Sequence, residues 1–378
     1  MKIVTMEPTP SPNSMKIVVN ESLPDRKSFQ YKPTDENVPP LMKKLLDIEG
    51  VKSLYHVADF IALDRHPKVA WEEILPKVRE VFGEEATERE RTQSENQLSE
   101  QASFGEVQVF VQFFRHIPMQ IKLVAGDEEQ RVGLPERFQQ AIMDAQASSP
   151  NVVMERKWVE QGVRYGEFAE IGKAVADEIE AAYDDERLKQ LVKAAYRQNE
   201  GEVYVRPTMT SEEVREAMKS DDWRVRFAAL EKMDPTKDDI PLLAEALRDE
   251  KSSIRRLATV YLGLIEDEVV LPYLYEALKD KSVSVRRTAG DCLSDLGSTK
   301  AIPAMIEALK DPNRLVRWRA AMFLYEVGDE TAIPALKEAE SDPEFEVGLQ
   351  AKMARKRIES GEAAAGSVWQ QMTDSRRK

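Results

Sequence analysis

The C-terminal half of this chain repeats itself every 31 residues, and that period constrains its fold more than any other feature. Pro241, Pro272, Pro303 and Pro334 are each 31 residues apart, and each follows an aliphatic residue, Ile240, Leu271, Ile302 or Ile333. Asp249, Asp280, Asp311 and Asp342 keep the same step, and Arg255, Arg286 and Arg317 follow the first three of these by six residues. Ala258, Ala289, Ala320 and Ala351 recur in register with them. A fixed period of this length marks one supersecondary unit per repeat. In DPNRLVRWRAAMFLYEVG, Asp311 is expected to cap a helix with Pro312 at its first position. Val316, Ala320, Phe323, Leu324 and Val327 then share one helical face, and Gly328 is expected to end the helix with a positive φ. A second helix is expected to begin near Thr331. A helix pair is too thin to bury its own apolar face, so the units must stack. The pattern predicts an α-solenoid of about four to five repeats over residues 201–362. EEVREAMKS before WRVR aligns with LLAEALRD before SIRR at a 29-residue step, which places the start of the stack before Asp221. At the other end, FEVGLQAKMARKRIE carries Gly348 in place of the ladder arginine and is expected to be an atypical closing helix near Gly361.

The first 200 residues carry no such period. KIVTM and MKIVVN have β character, PPLMKKLLDIEG predicts a helix ending at Gly50, VKSLYHVADFIALD a hairpin turning at Ala58-Asp59, and VAWEEILPKVREVFG a second helix. The expected order is ββαββα over residues 1–83. Residues 84–104 are charged, polar and almost free of large apolar side chains, as a linker would be. The same order is then expected again over 105–200: strands VQVFVQFF and MQIKLVAG, helix LPERFQQAIMDAQ, hairpin VVMERKWVEQGVRYG and helix FAEIGKAVADEIEAAYD. Met15–Val19 and Met119–Leu123 would be equivalent second strands of a degenerate tandem duplication. The fold class predicted is therefore multidomain, two ββαββα modules followed by a HEAT-like α-solenoid. Residues 363–378 form a tail expected to be mobile, in which Trp369 could dock locally.

Composition narrows the partners. A formal net charge of −14 disfavours non-specific attraction to nucleic acid or to an anionic membrane. The opening residues lack the apolar core of a secretory signal, and no run is long and apolar enough to span a bilayer, so the expected location is the cytoplasm, with no membrane partner. Cys292 is the single cysteine, which excludes an intramolecular disulfide and any cysteine-pair motif. His56, His66 and His116 are scattered, none in a helical i, i+4 pair, and residues 117–378 contain no histidine. No phosphate-loop, dinucleotide, zinc-protease or nucleophile-elbow motif is present. No cofactor, metal or catalytic residue is assigned, and a non-catalytic role is expected.

The string Thr9-Pro10-Ser11-Pro12-Asn13-Ser14-Met15-Lys16 resembles the T-P-N-P-N-S-L-K motif of the Nfu/NifU N-terminal domain. Physically, the prolines stiffen a turn, and Asn13 and Ser14 hydrogen-bond local backbone to deliver Met15 into its strand in register. In the Nfu family the iron-sulfur cluster is held by a separate C-x-x-C domain, a pair this chain lacks. An Nfu-type domain, a second α+β domain and HEAT-like repeats together resemble the conserved virulence factor C family of Gram-positive bacteria over nearly the full chain. The resemblance implies an association with virulence and the control of secreted factors. It also admits iron-sulfur assembly proteins as partners.

Among candidate sites, Arg255, Arg286 and Arg317 with Asp249, Asp280 and Asp311 form a structural ladder, each arginine expected to pair within the stack. Their neighbours Arg256, Arg287 and Arg319, with Trp223 and Trp318, are the candidate partner-binding surface, since arginine and tryptophan anchor protein interfaces. The alternative for these arginines is a cationic edge for nucleic acid. Packing between units explains the tryptophans equally well. Cys292 shares its repeat position with Tyr261 and Phe323 and is expected in the core. A cleft around Trp158 and Arg164 is the remaining place for unrecognised chemistry. The leading expectation is an adaptor that binds one or more proteins.

Overall fold

The computed structural model describes residues 1–361 apart from residues 10, 12, 24–27, 36, 67–68, 84–105, 127 and 201–203. Pro12, the linker at 84–104 and the tail at 363–378 therefore lie outside the described residues. The chain divides into two compact units, one of Met1–Phe104 with Ile302–Lys378 and one of Gly105–Ala301.

In the first unit, strands β1 (Ile3–Pro8), β2 (Ser14–Val19), β3 (Ser28–Tyr31), β4 (Val51–Val57) and β5 (Phe60–Arg65) form an antiparallel sheet in the order β1-β2-β5-β4-β3. Helices α1 (Pro40–Leu46) and α2 (Trp71–Val81) supply Met42, Leu45, Ile74, Leu75 and Val78 to a core shared with Met15, Ile17 and Val19 of β2. Alternate burial along SMKIVV is what a strand with one covered face requires. At the entry to β2 the Ser14 amide donates to the Ser11 carbonyl at 3.2 Å, while the Asn13 carbonyl accepts from the distant Arg65 amide at 2.9 Å. The β4–β5 turn falls at Ala58-Asp59, with Ala58 at φ 47°. The module is nonetheless βββαββα and not ββαββα. The extra strand, SFQY, is an edge strand exposed over three of its four residues, so it carries no buried alternation to be seen.

In the second unit, β6 (Glu106–Phe114), β7 (Ile117–Ala125), β8 (Glu128–Gly133) and β9 (Lys157–Tyr165) form an antiparallel sheet in the order β8-β7-β6-β9. One face is packed by helices α3 (Glu136–Ala145), α5 (Phe168–Ala182) and α6 (Asp185–Arg197), joining Val109, Val111, Ile121 and Leu123 to Phe138, Val175 and Leu191. The hairpin expected in VVMERKWVEQGVRYG is instead a single helical turn, α4 (Val152–Glu155), capped by Asn151, followed by one long strand. Gly162, at φ 80°, sits where the β6–β9 register slips, so it marks a bulge and not a turn. The two modules are not one duplicated connectivity: β2 lies between β1 and β5, whereas β7 lies between β8 and β6.

Among the described residues the repeats are five helix pairs, α7 (Ser211–Ala217) with α8 (Trp223–Glu231), α9 (Ile240–Ala246) with α10 (Ser252–Leu264), α11 (Leu271–Ala277) with α12 (Val283–Leu296), α13 (Ile302–Ala308) with α14 (Arg314–Val327), and α15 (Ile333–Ala339) with α16 (Phe345–Ser360). They are a HEAT-like α-solenoid. The ladder prolines take the second position of the shorter helices, where the missing N–H costs nothing. A 3₁₀ turn precedes each, so Thr331 lies in Glu330–Ala332 and the helix starts at Ile333. Two local expectations are corrected. The cap of α14 is Asn313, whose side chain accepts from the Leu315 amide at 2.9 Å, while the Asp311 carboxylate accepts from the Asn313 amide at 2.8 Å. Gly328 has φ −64°, and glycine is needed there because a Cβ would lie 2.4 Å from the Leu324 carbonyl oxygen.

Candidate protein-interaction surfaces

The ladder shows how the repeat turns charge into architecture. Each ladder arginine sits near the start of the longer helix, where the guanidinium reaches back over its own loop and sideways to the next. Arg255 donates through Nη1 to the carbonyls of Asp249 and Glu250, both at 2.9 Å, and through Nε and Nη2 to Asp280 at 2.6 and 2.9 Å. Asp280 in turn accepts from the Ser282 amide at 2.6 Å, holding its own loop. The same fork joins Arg317 to Asp342 and Arg226 to Asp249. Arg286 donates to the Asp280 carbonyl at 2.8 Å, and the Asp311 carbonyl accepts from Arg317 at 2.9 Å. Planar two-point pairing of this kind is what arginine supplies and lysine cannot. The carboxylates hold the Arg226 and Arg317 guanidiniums charged, raising their pKa values: hydrogen bonding to Asp249 does so for the first, to Asp342 for the second.

The proposed partner surface is largely internal. Arg256, Arg287, Arg319 and Trp318 are buried, so they form neither an exposed protein-binding patch nor a cationic edge for nucleic acid. For Arg256 and Arg287 the reason lies in the second module. Arg256 faces Glu178 of α5 at 3.6 Å, and Glu178 also accepts from Arg164 of β9 at 2.9 Å. Burial lowers the Arg256 pKa to about 10, against the pull of Glu178. Arg287 lies 4.2 Å over the ring of Tyr165 in β9 and pairs with Asp291. Burial works against its charge, but Asp291 and Tyr165 outweigh it and its pKa is raised. Trp158 and Arg164 do not converge either: Trp158 lies opposite Gln112 with Lys122 4.8 Å over its ring, while Arg164 opposes Val107 and turns to the helix-covered face. Cys292 is buried, with its Sγ 3.5 Å from the Thr259 carbonyl oxygen. Among the described residues, no group of three or more His, Cys, Asp or Glu is placed to hold a metal ion. No described helix is long and apolar enough to cross a membrane.

Of the five residues expected to form the surface, four are buried and Trp223 is half-buried. Its ring takes Lys251 Nζ at 3.9 Å and the Arg224 guanidinium at 5.2 Å, and Val225 beside it is 47% exposed. Leu264, 63% exposed, and Val269 add apolar area at the end of the next repeat.

A second surface was not foreseen. The closing helix α16 packs Phe345, Leu349 and Met353 against the core of the first module, and Glu346 accepts from buried Arg65 at 2.9 Å. Beside this contact a cavity of about 410 Å³ opens between β1 and α16, lined by Ile3, Val4, Thr5 and Met6 on one side and by Leu349, Lys352, Met353, Lys356 and Arg357 on the other. The sequence held one faint signal for it: Leu349, Lys352, Met353 and Lys356 recur at helical spacing on a single face.

Three family profiles match the chain: "Scaffold protein Nfu/NifU N terminal" over residues 4–89, "Virulence factor" over 112–192 and "HEAT repeats" over 211–290 and 271–354. The protein YpgR of Bacillus subtilis (strain 168) is 61% identical over 100% of both chains, and Conserved virulence factor C of Staphylococcus aureus (strain MRSA252) is 49% identical over 99% of both. Among solved structures, the crystal structure of protein SAV1430 from Staphylococcus aureus is 43% identical, covering 22% of this chain and 99% of that one, with a TM-score of 0.21. Full-length identity at this level, joined to an Nfu-type module, a second α+β module and HEAT-like repeats, shows that the chain belongs to the conserved virulence factor C family.

Proposed function

We propose that this protein is a non-catalytic adaptor of the cytoplasm whose HEAT-like repeats carry the two α+β modules and offer contact surface to other proteins. The supporting observation is where the repeat charges go. Arg226, Arg255 and Arg317 are used inside the stack, and Arg256 and Arg287 against the second module. The described repeats also leave apolar area toward solvent at Val225 and Leu264, and in part at Trp223. Solenoids bind through such extended surfaces. An adaptor that engages other proteins also suits the family's association with virulence.

The test is photo-crosslinking in the native cell with a photoreactive residue at Val225 of the full chain, followed by mass spectrometry. Recovery of one or a few proteins, lost when Trp223 is replaced by Ala, is the expected result. Recovery of none from Val225 or from Leu264 would overturn the reading. A chain ending near Glu200 is a poor reagent, because it divides the compact unit Gly105–Ala301.

A second reading, an accessory role in iron-sulfur cluster assembly or delivery, is favoured by the Nfu-type module. With its single cysteine buried, this chain would act there by docking a carrier or recipient and not by supplying thiolates. Consistent absence of assembly proteins and cluster enzymes from the crosslinked set would remove it.

A further inference from the structure

The cavity beside β1 has a construction the repeat surfaces lack. Four consecutive strand residues, Ile3 to Met6, line it. Successive strand side chains point to opposite faces, and β1 adds a register slip between Ile3 and Thr5, so this run of four lies along the rim of the space. Among the described residues β1 is the outermost strand of its sheet and pairs with β2 alone. Its other edge therefore carries N–H and C=O groups that, among the described residues, no strand satisfies. Val4 on this edge is 64% exposed.

The opposite wall supplies selectivity. Leu349 and Met353 of α16, with Met6 and Met15 of the sheet and Leu75 of α2, form an apolar floor, and unbranched methionines adapt to varied side chains. Lys352, Lys356, Arg357 and Arg79 border the same space, and among the described residues no Asp or Glu lines it. Arg357 is tied to the carbonyls of Leu324 and Gly328. Lys352 and Lys356 have no ion-pair partner among the described residues. In a chain of net charge −14, a cavity bordered by cations alone calls for an anionic occupant.

We propose that this cavity is a docking site for an extended, acidic segment of a partner protein, which adds a strand to β1 and sets carboxylates against Lys352 and Lys356. Backbone pairing to β1 supplies affinity, the methionine floor receives the inward apolar side chains, and the lysines select for acid. The inference rests on the adaptor reading and names the partner's chemistry for it.

The probe is a fluorescein-labelled peptide of about ten residues alternating Val and Glu, titrated into the full chain by fluorescence anisotropy, with a Val–Lys peptide as control. The Val–Glu peptide is expected to bind, with affinity falling as salt is added, and the Val–Lys peptide to fail. Lys352→Glu with Lys356→Glu is expected to weaken binding at least ~10-fold. Both side chains reach solvent, and the melting temperature of the double variant checks its folding. A second peptide, identical but N-methylated at alternate residues, requires no variant: it keeps every charge and loses strand pairing, so it is expected not to bind. Hydrogen exchange should slow at Ile3–Met6 in the bound state. Equal binding of the N-methylated peptide would reduce the site to simple charge attraction and overturn the proposal. So would failure of the Val–Glu peptide, including the case in which sedimentation shows a second copy of the chain occupying the edge. Failure here with crosslinks still recovered at Val225 would leave the adaptor reading standing. Peptide binding without cellular partners would do the reverse.

Discussion

Removing Asp280 tests the ladder where it is most specific. Asp280→Ala leaves the Arg255 guanidinium, 3% exposed, without the carboxylate at 2.6 and 2.9 Å, and retains only its two carbonyl acceptors. Stripping one partner from a buried pair costs about 3–5 kcal/mol, because the remaining charge stays desolvated. Arg255→Ala should cost less, about 2–3 kcal/mol: Asp280 keeps the Ser282 amide, and the carbonyls of Asp249 and Glu250 each lose one donor at about 1 kcal/mol. The double variant strands no charge and should cost about 3–5 kcal/mol, giving a coupling energy of about 2–3 kcal/mol. A chain with several modules has no single unfolding free energy, so the measurement is native-state hydrogen exchange of the amides in α10 and α12. Additivity within about 0.5 kcal/mol would refute the claim that the fork couples successive repeats.

His56 is buried in β4 with no hydrogen-bond partner for Nε2 among the described residues, and burial lowers its pKa from 6.5. A folded value below the unfolded one means its contribution is complete above pH 6.5 and is lost as pH falls toward the folded pKa. First-module stability should therefore decline from pH 7 to pH 5 by hydrogen exchange at β4, and His56→Leu should abolish that slope. Gly263→Ala places a Cβ 2.5 Å from the Cys292 Sγ, so a loss of about 1–3 kcal/mol is expected, with partial rescue by Cys292→Ala in a double variant. Glu346→Gln removes the carboxylate facing Arg65, a side chain 1% exposed, and should loosen α16 from the first module, read as faster exchange in both.

What was legible in the sequence depended on repetition. The 31-residue step identified the stacked helix pairs because every repeat solves the same packing problem with the same residues, and Arg255 and Asp280 are predictable from each other for that reason. Edge strand β3 was missed and β9 was read as a hairpin because neither buries alternate residues, and a glycine such as Gly162 looks the same in sequence whether it serves a bulge or a turn. The failure at Arg256, Arg287 and Trp318 has a different origin. These three occupy one position of the repeat, so periodicity reads them as a stripe, and arginine with tryptophan invites the reading of a binding face. Periodicity says which residues are equivalent among repeats and nothing of the non-repeating element laid against them. For Arg256 and Arg287 that element is the second module, whose Glu178 and Tyr165 follow no period. The Arg65–Glu346 pair joins residues 281 apart, beyond any local pattern. In a chain that fuses modules to repeats, an arginine beside the ladder is therefore as well explained by the attached domain as by a foreign partner. Surface that can receive a partner has to be sought where neither stack nor module has claimed it, and Trp223 and the open edge of β1 meet that condition among the described residues.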